Sequence, residues 1–442
     1  MTSYQRAWAL SLAAALCATA ATPALAQLAP NPNTPALVAA AGGNPQLQST
    51  AAYVGALCPN LAAGTDLRLR CAAALGASVA NPPLATTALD QITPQELLAQ
   101  TAVIDGAISS GTNAVAGRIA ALSQVGFGRG IASAYRPVVL ASAGDTAGLG
   151  GASVPPLQAF VNVVVGGGDK DRDPLESGYD FDTRSISGGL DYRFSDSFTA
   201  GVALSYGDTD LDFDAQGGTL EAETLVGSVY ALWTLSPQLQ LTGLVAYGQI
   251  DFTSDRTIAY AENATSTISR VAHGETDGDQ WEGTLTLSYA MDGKDGWSYG
   301  PSFAVSARTL DLDAFDETGA NGLNLSFPDQ SADSLQLIAG FDVSKAISTQ
   351  GGVISPYARV QGIYETQDDS RAVRIRYVAD TTGFFQGLRL TTRAPDRTRF
   401  LVGGGLAGQF ANGWSGFADA ETLIGLRDTT SYAFTVGLRK EF

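Results

Sequence analysis

One histidine, His273, is present in the 442 residues, and histidine is the most common general base in enzymes. It lies in a polar stretch between two segments of alternating hydrophobicity, so we interpret it as a solvated loop residue. The alternative is a Ser–His pair in a membrane hydrolase. The N-terminal region contains no Gly-x-Ser-x-Gly motif of the kind that presents a nucleophilic serine. We therefore predict no catalytic residue and no enzyme.

Three aspartates at a spacing of two, Asp169, Asp171 and Asp173, resemble the start of a calcium-binding loop. Pro174 stands where an EF-hand loop needs glycine, so the match fails. We interpret the segment as an acidic exposed loop, with a weak site for divalent cations as the alternative. The sequence predicts neither a metal ion nor a cofactor.

Composition narrows the class of protein. Hydrophobic residues make up 45% of the chain and charged residues only 16%, whereas soluble domains carry about 25% charged residues. The net charge of −18 would repel a phosphate backbone, so we expect no nucleic-acid partner. No apolar run of about 20 residues follows the N-terminus, so transmembrane helices are not predicted.

The N-terminus has the pattern of a secretory signal peptide over residues 1–26. Arg6 precedes an apolar run that ends in Ala-Leu-Ala at Ala24–Ala26. Two cysteines then remain, Cys58 and Cys71, and in an exported chain such a pair predicts a disulfide. Closing a loop of about fourteen residues would add roughly 3 kcal/mol of stability in the chain-entropy description.

The rest of the N-terminal third divides into three segments. Residues 27–92 are rich in Ala, Gly and Pro and are predicted to be a linker and disulfide-bearing segment. Residues 93–125 are predicted to be an amphipathic helix, because Thr93 and Glu96 form a capping box. Its apolar stripe is Leu97, Ile104, Ile108, Val115, Ile119 and Leu122. Residues 126–156 are a predicted Gly-rich linker.

From residue 157 to residue 442 the hydrophobic period changes to two, which is typical of strands. One alternating segment starts at Trp281, which is the first residue of its apolar side. Its polar side consists of Glu282, Thr284, Thr286 and Ser288. About twelve such segments are joined alternately by tight turns and by longer polar loops. Outer-membrane barrels sort their loops in this way, whereas a soluble β-sandwich has no reason to. In a barrel, the four polar residues would face the lumen.

Several stretches in order resemble the β-barrel domain of autotransporters, the type V secretion proteins. They include "GLDYRFSDSFTAGVALSYGDTDLDF", "DETGANGLNLSFPDQSADSLQLIAGFDVS", "SPYARVQGIYETQDDSR" and the closing "GLRKEF". The resemblance implies an all-β, twelve-stranded antiparallel transmembrane β-barrel after a short, mainly helical N-terminal region. Its implied function is a translocator and anchor for a short non-catalytic passenger. The alternative is a porin-like channel or structural envelope barrel.

The resemblance also implies that the terminal strand is the signal for barrel assembly, carried here by Tyr432, Phe434, Val436, Leu438 and Phe442. Lys440 departs from the family, where an aromatic residue is common.

The implied location is the outer membrane of a Gram-negative bacterium. The implied partners are outer-membrane lipid and lipopolysaccharide, the barrel-assembly machinery and periplasmic chaperones, and we expect a monomer. The N-terminal region could be periplasmic, lumenal or surface-exposed, and the predicted helix could plug the lumen or cap its periplasmic mouth.

Overall fold

The computed structural model describes residues 30–96, 156–214, 217–367, 369–382 and 387–442. The predicted signal peptide lies outside these ranges, as do the predicted helix beyond Glu96 and the predicted Gly-rich linker before Pro156.

Twelve long antiparallel strands in the described residues form a closed barrel, which confirms the predicted fold class. Each strand pairs with its neighbour in sequence. The barrel closes where the first strand pairs with the last, with Val163 opposite Val436. The strands are β1 (Leu157–Lys170), β2 (Tyr179–Ser195), β3 (Phe198–Phe213), β4 (Gly218–Thr234), β5 (Leu239–Ala261), β6 (Thr267–Tyr289), β7 (Trp297–Leu312), β8 (Gln330–Lys345), β9 (Gly352–Glu365), β10 (Thr398–Phe410), β11 (Trp414–Ile424) and β12 (Thr429–Glu441).

Successive side chains along each strand alternate between a lipid-facing side and a side that faces the lumen. On β6, Trp281 is 57% exposed and Glu282 only 8%. From Trp281 to Tyr289 the outward face is apolar over about eight residues, or roughly 20 Å along the membrane normal at a strand tilt of about 40°. Tyr247 packs beside Trp281, with ring centroids 4.9 Å apart. An aromatic-bordered apolar band of this height fits the hydrocarbon layer of an outer membrane.

The two ends of the barrel differ in their connections. We call the end with the short connections, at 196–197, 235–238, 290–296, 346–351 and 411–413, the turn end. The opposite end is the loop end. There, β5 and β6 continue beyond their neighbours as a two-stranded extension, and four short strands form a second sheet. Those strands are Phe315–Asp316, Leu325–Phe327, Ala372–Tyr377 and Leu388–Thr391.

The prediction that His273 lies in a loop is wrong. His273 lies on β6, opposite Asp255 of β5. The stretch from 254 to 275 resembles a loop in sequence because the extension lies beyond the lipid. Its outward face is therefore polar, and its buried face mixes Arg256 with the apolar Ile258 and Tyr260.

The prediction of a linker before residue 92 is also wrong over most of its length, because four helices form there: α1 (Thr34–Ala40), α2 (Pro45–Leu57), α3 (Asp66–Ala80) and α4 (Pro82–Ile92). The prolines that suggest a linker stand at helix starts, where the missing N–H has no intrahelical partner to lose. At α2, Asn44 accepts hydrogen bonds from the N–H groups of Gln46 and Leu47. Thr93, predicted as a helix N-cap, is the C-cap of α4.

We call residues 34–92 the helical domain. Among the described residues, its helices and all others are too short or too polar to cross a bilayer. The helical domain packs on the loop end, and one hydrophobic cluster, the shared core, contains residues from both. The contribution from the loop end is Ile258, Tyr260, Ile268, Ala272, Phe315, Ala320, Leu323, Leu325, Phe327, Ile375, Tyr377, Leu388 and Leu390.

Candidate functional site: the docking interface and the lumen

A disulfide joins Cys58 to Cys71, with Cα atoms 5.9 Å apart. Cys58 follows α2 and Cys71 lies in α3, and both are buried. The Arg68 guanidinium donates to the Cys58 carbonyl across the same corner. The disulfide therefore fixes the angle between two helices of the docked domain.

Asp66, at the start of α3, is the main ionic contact between the helical domain and the extension. Its carboxylate accepts hydrogen bonds from both terminal nitrogens of Arg270, at 2.5 and 2.8 Å, and from the Gly322 N–H at 3.1 Å. The hydrogen bond from Arg270 holds the pKa of Asp66 below its ordinary value. Arg70, one turn further on, pairs with Glu262 near the tip of the extension.

Two glutamine side chains cover strand edges at the loop end. The Gln46 amide donates to the Thr391 carbonyl at 2.6 Å and accepts from the Thr391 N–H at 3.2 Å, as a neighbouring strand would. Gln91 accepts from the N–H of Ala259 on β5 at 2.7 Å. Because an open strand edge is prone to pair with other chains, the helices protect these edges as well as bury apolar surface.

Arg256 and Glu317 form an ion pair beneath the helical domain. Arg256 Nε and an Arg256 terminal nitrogen donate to the Glu317 carboxylate at 2.9 and 2.6 Å, and the side chains are 1% and 0% exposed. Glu317 also accepts from the Leu325 N–H at 2.8 Å, and Arg256 donates to the Leu323 carbonyl at 3.1 Å. These contacts bind the extension to the second sheet.

The segment that resembled a calcium loop is held together by the protein's own cations. Asp173 accepts from the N–H groups of Leu175 and Glu176, and it pairs with Lys170 at 3.5 Å and Arg393 at 2.7 Å. Burial raises the pKa of Asp173, but these donors and cations outweigh it and keep that pKa below its ordinary value. Asp169 lies exposed at the end of β1, and the Asp171 N–H donates to the Asp428 carbonyl.

In the parts of the chain that the structure describes, no three His, Cys, Asp or Glu side chains are arranged to hold a metal ion.

His273 lies on the outer side of the extension, between two carboxylates. Its Nδ1 is 2.8 Å from Asp255 and its Nε2 is 3.1 Å from Glu275. The Asp255 hydrogen bond, followed by that of Glu275, raises the pKa of His273. Because both ring nitrogens contact carboxylates, neither is left to activate a serine hydroxyl.

All four residues predicted to face the lumen, Glu282, Thr284, Thr286 and Ser288, line a central cavity of about 1230 Å³. Glu282 lies 3.4 Å from Arg308 of β7, and Thr284 lies 2.9 Å from Ser306.

A second lumenal cluster, on β9 and β11, has no equivalent among the predicted residues. Arg359 donates to Asp419 at 2.9 and 2.7 Å and to Glu421 at 2.5 Å. Polar and apolar residues alternate in the segment "YARVQG". A charged residue between apolar neighbours in such a segment is the signal that could have identified Arg359. At these two clusters the wall of the lumen is polar and its charges are paired.

The terminal strand lies where the sequence predicts, in contact with β1. Its lipid-facing residues, 46% to 65% exposed, are Tyr432, Phe434, Val436, Leu438 and Phe442. The Phe442 N–H donates to the Leu157 carbonyl at 3.2 Å, so pairing continues to the last residue.

The structure also accounts for the unexpected Lys440 near the chain end. The Lys440 ammonium lies 5.3 Å from the ring centroid of Trp414, directly opposite on β11, and it donates to the Asn412 carbonyl. An aromatic ring therefore occupies this surface, supplied by the neighbouring strand.

A closed twelve-stranded barrel with an outward apolar band, short turns at one end and a polar lumen defines an outer-membrane β-barrel. Residues 159–421 match the family model described as autotransporter beta-domain. The chain therefore belongs to the autotransporter family, and it is a translocator barrel of the Gram-negative outer membrane with a short helical N-terminal region. Membership of the family also implies insertion by the barrel-assembly machinery.

Known proteins match part of the chain. Outer membrane protein A of Rickettsia conorii is 22% identical over 253 residues, which are 56% of this chain and 12% of that protein. Esterase EstA of Pseudomonas aeruginosa is 24% identical over 217 residues, 47% of this chain and 32% of that protein. The translocator domain of NalP from Neisseria meningitidis aligns with a TM-score of 0.51 at 17% identity, covering 65% of this chain and 88% of that domain. The chain thus spans a third or less of these two curated relatives.

Proposed function

We propose that the barrel brings its own helical domain to the cell surface and anchors it there as a short, non-catalytic passenger. The observation that carries this proposal is the shared core, in which α1 to α4 pack against residues of the loop end. Outer-membrane barrels keep their short turns in the periplasm and their long loops outside. A domain docked on the loop end would therefore face the medium.

The chain path supports the same conclusion. Glu96, at the end of the first described range, lies beside residues of the loop end, whereas Leu157 begins β1 at the turn end. The intervening residues must connect the two ends of the barrel. Such a connection, from the periplasmic end where β1 begins to the end that carries the helices, is what delivery through the barrel requires.

The carboxylate pairing of His273 supports a non-enzymatic barrel, although one matched relative is named an esterase.

We also propose that lipopolysaccharide is a partner of the barrel. Above the apolar band, outward carboxylates stand directly opposite one another on neighbouring strands, as Asp182 and Asp210 do, and Glu223 and Asp251. Like charges so placed repel, and a layer rich in bridging cations would relieve that repulsion. We further propose that periplasmic chaperones are partners of the chain and that the barrel is a monomer.

Labelling of intact cells tests the proposed location. Val79→Cys adds a thiol to α3 at a position that is 62% exposed, and Lys294→Cys adds one at the turn end. We expect a membrane-impermeant maleimide to label position 79 in intact cells and position 294 only after the outer membrane is permeabilised. If position 79 also requires permeabilisation, the helical domain is not displayed and the proposal is wrong.

A second candidate function, a porin-like channel, is favoured by the polar cavity of about 1230 Å³. The docked helices lie over the loop end of that cavity. We expect the full-length protein to conduct poorly in planar bilayers and a variant lacking residues 30–96 to conduct more. Equal conductance of the two proteins would show that the helices do not close the barrel.

A further inference from the structure

Glu96 is a buried carboxyl group at the point where the helical domain meets the barrel. Its side chain is 1% exposed, and neither of its oxygens accepts a hydrogen bond from another described residue. Gln95 beside it is fully buried, and its side-chain amide likewise has no hydrogen-bond partner among the described residues. A carboxylate in such a place is strongly disfavoured unless a donor or a free cation compensates for the lost water.

Among the residues that the structure describes, the charged groups around Glu96 supply no free cation. Arg256 of β5 attracts its carboxylate, but that guanidinium is already committed to Glu317. Glu317 and Asp90 of α4 both repel a charge at Glu96. The Tyr377 hydroxyl, which is close enough to Arg256 and Glu317 to feel their charge, is also buried without a partner among the described residues. The site therefore accommodates the neutral carboxylic acid and opposes its ionisation.

We propose that Glu96 is a proton-controlled latch: the helical domain docks tightly while this carboxyl is protonated and loosens when it ionises. The inference adds regulation to the proposed function. It rests on the docked arrangement, and it holds whichever side of the membrane that domain faces.

The expected effect follows from proton linkage. Burial, the largest influence, raises the pKa of Glu96 from 4.5 to about 7 in the docked state. Well below pH 4.5 Glu96 is protonated in both states, and its contribution to docking is greatest. As the pH rises, the undocked state loses its proton first, so the docking constant falls about tenfold per pH unit until pH 7 and then levels off. The total change is about 300-fold.

Urea titration of the purified full-length protein in nanodiscs measures this constant. One dye on Val79→Cys and another on Lys294→Cys report undocking as a change in energy transfer, and heat-dependent gel mobility shows that the barrel stays closed. We expect the wild-type docking constant to fall about 80-fold between pH 4.5 and pH 7, because each of these pH values lies at one of the two pKa values. The neutral isostere Glu96→Gln should lack this component and dock more tightly than wild type at pH 8. The matched control Glu221→Gln, on the exposed face of β4, should follow the wild-type profile.

Two results would overturn the latch. One is a flat wild-type profile between pH 4.5 and pH 7, which decides the matter even if Glu96→Gln fails to dock. The other is a Glu96→Gln profile that superimposes on wild type. Neither result affects the labelling of position 79 in cells, so failure of the latch and failure of the proposed function can be told apart.

Discussion

Replacing Arg256 by methionine should weaken docking far more than the loss of one surface ion pair. Arg256→Met keeps most of the side-chain volume but leaves the Glu317 carboxylate buried with one remaining donor, the Leu325 N–H. Removing one partner of a buried ion pair typically costs about 3–5 kcal/mol, because the other charge stays in a site without water. We expect a loss of that size in the free energy of docking.

The double variant Arg256→Met/Glu317→Leu separates this reason from a simple loss of contacts. It removes the stranded charge, and it leaves unpaired only the Leu325 N–H and the Leu323 carbonyl, which the ion pair had satisfied. At about 1–2 kcal/mol for each neutral group, the double variant should lose less than the single variant despite its additional substitution. The pair of Arg427 and Asp396 supplies the control, because the Arg427 side chain is 65% exposed: Arg427→Met should change docking by under about 0.5 kcal/mol.

Urea titration monitored by far-UV circular dichroism measures these variants and the single variant Glu317→Leu, because the four docked helices give a signal distinct from that of the strands. The dependence of the free energy on urea concentration should not change, since the same surface becomes exposed in each variant. If the double variant loses the sum of both single substitutions, Arg256→Met and Glu317→Leu, the two charges are not coupled and the reasoning is refuted.

Three further predictions follow from the same contacts. Reducing the Cys58–Cys71 disulfide, or replacing both cysteines by alanine, should destabilise the docked helices by about 2–3 kcal/mol, which a comparison of urea midpoints with and without reductant would measure. Deleting Phe442 should lower the yield of heat-modifiable barrel in the outer membrane, and an unchanged yield would contradict its role in assembly. Because the pKa of His273 is raised, its contribution should be fully present below about pH 6.5 and disappear as the pH rises through the folded-state value. His273→Gln should remove that part of the pH dependence of extension stability, as followed by hydrogen exchange of β5 and β6.

The barrel was predictable from sequence because lipid imposes one rule on every strand. Lipid-facing residues between the two aromatic borders must be apolar. The apolar Trp281 is therefore predicted to face lipid and the charged Glu282 to face the lumen. Loop lengths then indicate which end lies in the periplasm. The pairing of β1 with β12 follows from closure, since an open edge in lipid would leave backbone groups without partners.

The docking interface was not predictable, because its partners are remote in sequence and chemically ordinary. Asp66 meets Arg270 across about 200 residues, and Gln46 meets Thr391 across nearly 350. No periodicity links such positions. The four helices were predicted to be a linker because the segment contains Asn-Pro and Gly-rich sequences, which occur in linkers and also at helix ends.

The division of the shared core between two parts of the chain bears on how a translocator could deliver this domain. A domain of about 60 residues buries too little surface to be firmly stable alone, and here residues of the loop end complete its core. Leu37 and Leu89, both fully buried, belong to a cluster that also contains Leu325 and Leu390. Under the proposed function, the segment lacks the loop-end members of the shared core until it reaches those loops, and it favours an open chain. Docking at the loop end supplies those members, so the same contacts that anchor the helices also oppose their return through the barrel.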